Sequence, residues 1–204
     1  MKKKLIAISL VLTALITLAC CGGAVKYPNY YALHVPPPPD PPAKQNIHAS
    51  LAVREFRSPP YLHQGAIVYK SSPEQIGFYN YHRWAVDPRD FVTNAVTERL
   101  RASGNFAQVK PYDGRSDIDY VLSGRLEKLD ELDYGGAVKV EVAISAQMTK
   151  LATGATVWTK EVSETGTVTK HNVPGVVAEM NATMDRAIEK LLTPAPPVSG
   201  TQKN

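Results

Sequence analysis

A chain of 204 residues with 44% hydrophobic side chains can bury a core of its own, and its formal net charge of +4 reflects 23 basic against 19 acidic residues. The first 19 residues hold three lysines and no acid, so their removal lowers the charge to +1 and leaves no sign of the clustered basic face that nucleic-acid binding requires. The two cysteines, Cys20 and Cys21, are adjacent, which with one of them acylated excludes an internal disulfide even in an oxidising compartment.

Lys2 to Lys4 precede a charge-free run of 14 residues, Leu5 to Leu18. That run falls short of the ~20 residues of a membrane-spanning helix and reads as the apolar region of a signal peptide. It closes on Thr17-Leu18-Ala19-Cys20, which resembles the bacterial lipobox, whose cysteine is diacylated at sulfur before cleavage and becomes the new N-terminus. Cys20 is the expected lipidation site. Cys21 is the alternative, disfavoured because it places Cys20 where the processing peptidase usually accepts Gly, Ala or Ser. An ordinary secretory leader that happens to end beside cysteines is the remaining reading. Two acyl chains on sulfur and one on the amine, at ~0.8 kcal/mol per buried methylene, anchor a chain firmly without spanning the bilayer. The residue after Cys20 is not the aspartate that retains such lipoproteins in the inner membrane, so the expected location is the periplasmic face of the outer membrane.

Residues 20–46 read as a lipidated tether with a possible short strand at 30–33, carrying the run Pro36-Pro37-Pro38-Pro39-Asp40-Pro41-Pro42 as a semi-rigid polyproline spacer. Residues 47–192 form the predicted domain. A strand is expected over Ile47 to Phe56 and a hairpin from Ile67–Lys70 and Gln75–Tyr81. Asp87 and Pro88 are the N-cap and first residue of a helix to Ser103, with Phe91, Val92, Ala95, Val96 and Leu100 on one face and Gly104 as its stop. Phe106 to Lys110 resumes an extended course, and Tyr120, Leu122, Gly124 and Leu126 alternate as a strand. The clearest alternation is Val138 to Met148, followed by a turn at Thr153-Gly154 and a returning strand, Ala155 to Val168. A second helix after Pro174 lines up Val177, Met180, Met184, Ala187, Ile188 and Leu191, Pro194 ends it, and 193–204 reads as a disordered tail. The expected class is α+β: an antiparallel sheet with two helices packed on one face.

Catalytic signatures are missing. There is no Gly-rich GK[ST] phosphate loop, no G-x-S-x-G and no HExxH. His34, His48, His63, His82 and His171 lack metal-ligand spacing, and the Asp113, Asp117, Asp119 series fails as a calcium loop because Arg115 occupies a ligand position. No enzyme, metal or cofactor is therefore expected. The densest aromatic stretch, Phe78 to Trp84, offers Tyr79, Tyr81, His82, Arg83 and Trp84 as contacts for a partner or a lipid headgroup. The structural alternative makes Phe78 and Trp84 core residues and has Tyr81 and Arg83 lock the strand-to-helix corner.

Tyr30-Tyr31-Ala32-Leu33, Ile67-Val68-Tyr69-Lys70, Ile76-Gly77-Phe78-Tyr79, Tyr81-His82-Arg83-Trp84-Ala85 and Leu100-Arg101-Ala102-Ser103-Gly104-Asn105-Phe106 resemble the ABC-type transport auxiliary lipoprotein family, of PqiC-like proteins. Leu151-Ala152-Thr153-Gly154 followed by Trp158 resembles its later hairpin. The resemblance covers most of residues 30 to 190. Lys70 departs from it, since the family usually has arginine there, and the change keeps the charge but loses bidentate geometry toward a carboxylate. The resemblance implies an outer-membrane-anchored, non-catalytic docking subunit of an Mce-type ABC intermembrane lipid-transport system. Its partners would be an Mce-domain tunnel protein with its permease and ATPase, the membrane through the acyl anchor, and other copies of itself in a homo-oligomer. Alternatives are a structural lipoprotein supporting an outer-membrane barrel or envelope complex, and a lipid carrier with its own apolar pocket.

Overall fold

The computed structural model describes residues 25–37, 49–114 and 117–196. The leader, Cys20, Cys21, most of the Pro-rich run, His48, Arg115 and the tail from residue 197 lie outside them. The backbone of the fold is a meander of β6 (Tyr120–Leu132), β7 (Lys139–Lys150) and β8 (Thr156–Thr167), paired antiparallel throughout. In β7, Val140, Val142, Ile144, Ala146 and Met148 are all buried, as strict alternation demands of a strand with one covered face. Their partners on β6 include Leu122, Leu126 and Leu129. The step from Leu126 to Leu129 contains a bulge, with one extra residue before Lys128. That residue reverses the alternation: beyond it Leu129 and Glu131 take the core side, where unbroken alternation from Leu126 would have placed Lys128 and Asp130.

β7 occupies one edge of β6 along its length. The other edge is shared. β2 (Ser50–Val53) pairs parallel with the start of β6 and with β5 (Gln108–Pro111), while β3 (Ala66–Ser72) pairs parallel with its end through Tyr69↔Glu131 and Lys70↔Leu132. β3 and β4 (Gln75–Trp84) form the expected hairpin, and β1 (Asn29–Tyr31) pairs parallel along β4. The α+β class with two helices is as expected. The sheet, however, is mixed, because the expectation of antiparallel pairing holds for the meander and the hairpin only. α1 (Pro88–Ala102) carries the chain back after the hairpin, so that β5 and β6 run in the direction of β2, and such crossovers make parallel neighbours.

Asp87 caps α1 by accepting from the Arg89 amide at 3.0 Å, and Pro88 opens the helix. Gly104, at φ 67, supplies the left-handed residue beyond its end. α2 (Val173–Leu192) is capped by Asn172, whose Oδ1 accepts from Gly175 at 2.8 Å. The predicted stripe of Val177, Met180, Met184, Ala187, Ile188 and Leu191 is buried in full, packing on β7 and β8. Each larger side chain of that stripe contributes about 1.5–3 kcal/mol by leaving water. An ion pair between Arg99 and Asp185 joins the two helices. β2 is shorter than expected: from Arg54 the chain leaves the strand, the Phe56 amide donates to Thr93 Oγ1 at 2.9 Å, and its ring lies on Gly124, where a Cβ would come within 2.2 Å of it.

Candidate functional site

The candidate corner at the end of β4 divides between the two sides of the sheet. On the helix side, Tyr79 donates its hydroxyl to Glu131 Oε2 at 2.9 Å, and its ring meets His82 edge-on at 5.6 Å. His82 Nδ1 and the Tyr31 hydroxyl are 2.9 Å apart, so this series ties β6 to β4 and β4 to β1. Tyr69 packs on Tyr79 at 5.1 Å and covers Gly77, its cross-strand partner; a Cβ at Gly77 would stand 2.3 Å from that ring. Burial pushes the Tyr79 hydroxyl up, with its bond to Glu131 second, and burial likewise raises the Glu131 carboxyl.

Trp84 is 5% exposed and belongs to the core, which corrects its expectation as a surface contact: its ring is the apolar end of the corner. Arg83 donates to the Gln64 carbonyl and closes the turn Pro60–Gln64 against β4. Tyr81 remains 39% exposed, with the Lys26 ammonium 4.4 Å from its ring centroid. Of the five predicted contacts, the structure therefore keeps Tyr81 at the surface with Arg83 beside it and uses Tyr79, His82 and Trp84 to hold the corner together.

A second cluster lies around Lys70. Asp130, on the opposite side of β6 from Glu131, is completely buried; Lys70 Nζ lies 3.2 Å from its Oδ2 and the Tyr61 hydroxyl 3.4 Å from the same oxygen. Asp130 Oδ1 has no hydrogen-bond partner. Lysine thus does pair the carboxylate, but as a point charge on one oxygen, where an arginine fork would reach both. Burial raises the Asp130 carboxyl above its ordinary range, while Lys70 and Tyr61 pull it down. The signal in the sequence is two consecutive acids, Asp130 and Glu131, between Leu129 and Leu132, and it lies beyond the alternation that the sequence shows up to Leu126. Next to the pair, Lys128 bonds Glu141 at 2.9 Å and Arg125 bonds Glu127 at 2.7 Å, making an interlocked polar surface over the meander.

Among the described residues no group of three or more His, Cys, Asp or Glu is placed to hold a metal. His63 bonds Ser58 at 2.6 Å, and the His34 amide donates to Asn181. Asp119, from the discarded calcium series, accepts from the Ser50 amide and hydroxyl at 2.8 Å each, bonds that lower its carboxyl. A groove of about 680 Å³ between β8 and α2 is lined by Lys160, Ser163, Arg186 and Lys190 among others. Its cations are engaged: Lys190 with Glu164, Arg186 with Glu179, Lys160 with the Thr193 carbonyl. No helix of the described residues is long and apolar enough to cross a membrane.

The fold is similar to that of a Xanthomonas campestris protein of family DUF330, at 17% identity over 80% of this chain and 92% of that one, with a TM-score of 0.69. It is also similar to a second solved structure, of an uncharacterized protein, at 15% identity over 82% and 98% of the two chains, with a TM-score of 0.64. At these identities the likeness is one of fold. No curated protein matches the chain. Residues 31–191, from the second tyrosine of β1 to the buried end of α2, match the sequence model of one family, described as the ABC-type transport auxiliary lipoprotein component. The match takes in both helices and the tyrosine that clasps β1 to His82, and on it the chain belongs to the family of ABC-type transport auxiliary lipoproteins, non-catalytic accessories of a transporter.

Proposed function

We propose that this protein is an outer-membrane-anchored periplasmic docking subunit of an Mce-type ABC intermembrane lipid-transport system. In that role it receives the end of an Mce-domain tunnel protein whose permease and ATPase supply the energy from other chains. Membership of the transport auxiliary family supports the accessory role, and one observation supports docking close to a membrane. β1 begins at Asn29, nine positions after Cys20, and is built into the sheet by pairing with β4. Nine extended residues reach about 30 Å at most, so an acyl group on Cys20 holds the sheet edge near the leaflet. A leash that short suits a subunit waiting at the membrane for a partner and does not suit a carrier that crosses the periplasm.

The test is in-cell crosslinking of the intact lipoprotein followed by purification from membranes. Recovery of an Mce-domain protein with its permease and ATPase is expected, and self-crosslinked species would add a homo-oligomeric collar. Recovery of an outer-membrane barrel or a cell-wall protein alone would replace this reading with a structural role in envelope assembly. Cys20→Ala is expected to release the protein from membranes and abolish function with the domain still folded. Full function from that soluble variant would remove the tethering part of the proposal.

A further inference from the structure

The large apolar side chains that stay exposed among the described residues are not scattered. Seven qualify, and five of them gather where the chain enters the fold: Val25, Tyr27 and Tyr30 at 73, 78 and 63% exposed, Tyr81 at 39%, and Val86 at 57%. Register makes them neighbours. Tyr30 stands opposite Arg83 in the β1–β4 pairing, Lys26 reaches the Tyr81 ring, and the amide before Val86, that of Ala85, donates to the Tyr31 carbonyl. Residues 25–36 and 75–86, which supply this edge, contain Lys26 and Arg83 and no carboxylate, and Asp87 after Val86 is paired with Arg89. At the other end of the sheet the surface is acidic as well as basic, with Glu127, Glu141, Glu161 and Glu164 along the meander.

Tyrosine presents an apolar ring with a polar tip, and lysine an apolar stem with a charged one, the chemistry that suits the headgroup layer of a bilayer. An exposed cluster of this kind marks a binding surface. Its occupant follows from the chain's own path. Tyr27 is seven positions after Cys20, so an anchored chain keeps it within about 25 Å of the acylated residue. At that distance the leaflet is present at high effective concentration, and even weak contacts are populated. We infer that the β1–β4 edge is a membrane-docking face: Tyr27, Tyr30, Tyr81 and Val86 rest in the headgroup layer of an anionic phospholipid leaflet, with Lys26 toward its phosphates. This orients the domain with β1 down and leaves the β7–β8 end of the sheet pointing away from the membrane. The inference rests on acylation of Cys20.

The test uses the mature lipoprotein reconstituted in vesicles of phosphatidylethanolamine with phosphatidylglycerol as the anionic component. A benzophenone side chain replaces Tyr27, Tyr30 or Tyr81 in turn, and Glu161 as the control; all four positions are exposed, and three already carry a ring. Irradiation is expected to yield phospholipid adducts from the three tyrosine positions and none from Glu161. Lys26→Gln should lower the adduct yield about fivefold, the effect of one basic residue near an anionic surface. Adducts to a second copy of the chain, or equal lipid adducts from Glu161, would overturn the inference, as would the absence of lipid adducts from a protein whose mass shows it acylated. A mass without acyl groups would instead remove the anchor, and the docking face with it.

Discussion

Replacing Lys70 with Met takes away the ammonium that lies 3.2 Å from a carboxylate with no solvent exposure. Asp130 then keeps only the Tyr61 hydroxyl, at 3.4 Å. Removing one partner of a buried pair costs about 3–5 kcal/mol when the remaining charge stays ionised. The carboxyl can escape by taking a proton, at about 1.4 kcal/mol per pH unit, so the cost depends on pH. The sign follows from burial, which already holds the Asp130 carboxyl above its ordinary range in the folded state. A folded state that binds the proton more tightly than the unfolded one is most stable below the unfolded pKa, about 3.9, and loses stability as pH rises through the folded value. Without Lys70 the folded value moves further up and the loss continues to higher pH. Urea unfolding of the two proteins should therefore differ by about 1 kcal/mol or less at pH 5 and by about 3–5 kcal/mol at pH 8, at unchanged slope. An equal difference at both pH values would refute the reasoning and reduce Lys70 to the packing of its stem.

Lys70→Arg should act in the opposite direction, raising the unfolding free energy by about 1 kcal/mol as its fork supplies the donor that Asp130 Oδ1 lacks. Glu131→Gln keeps an acceptor for Tyr79 and removes a charge that burial disfavours, so denaturant titration should find it more stable than the parent at pH 8 and no different at pH 4. Gly77→Ala drives a methyl into the Tyr69 ring and should cost about 1–3 kcal/mol in thermal or urea unfolding, and much less when introduced into a Tyr69→Ala background, where that ring is gone. Asn172→Ala removes the cap of α2 and should lower stability by about 0.5–2 kcal/mol, with hydrogen exchange rising first at the start of that helix.

The sequence by itself determined the elements whose pattern is local. The period of Val177 to Leu191 specified the buried face of α2, Asp87-Pro88 specified where α1 begins, and the alternation of Val138 to Met148 specified which side of β7 is covered, because each depends on residues within a few positions of one another. The short strand near Tyr30 was visible in its composition, whereas the lipobox expected at Cys20 lies outside the described residues. What only the tertiary structure decided depends on residues far apart in the chain. The mixed sheet follows from β6 offering one edge to β7 and the other to β2 and then β3, a division that no single strand encodes. One extra residue before Lys128 turned Glu131 inward beneath Tyr79 and Asp130 toward Lys70, and a bulge leaves no periodic trace in a sequence. The aromatic stretch from Phe78 to Trp84 was legible as a feature but not as a division of labour. The extra residues of β4 between its Phe78 and Arg83 pairings break the alternation, so that Tyr79 and His82 fasten the inner side together while Tyr81 is left outside with Tyr30, and only the pairing with β3 and β1 reveals that break.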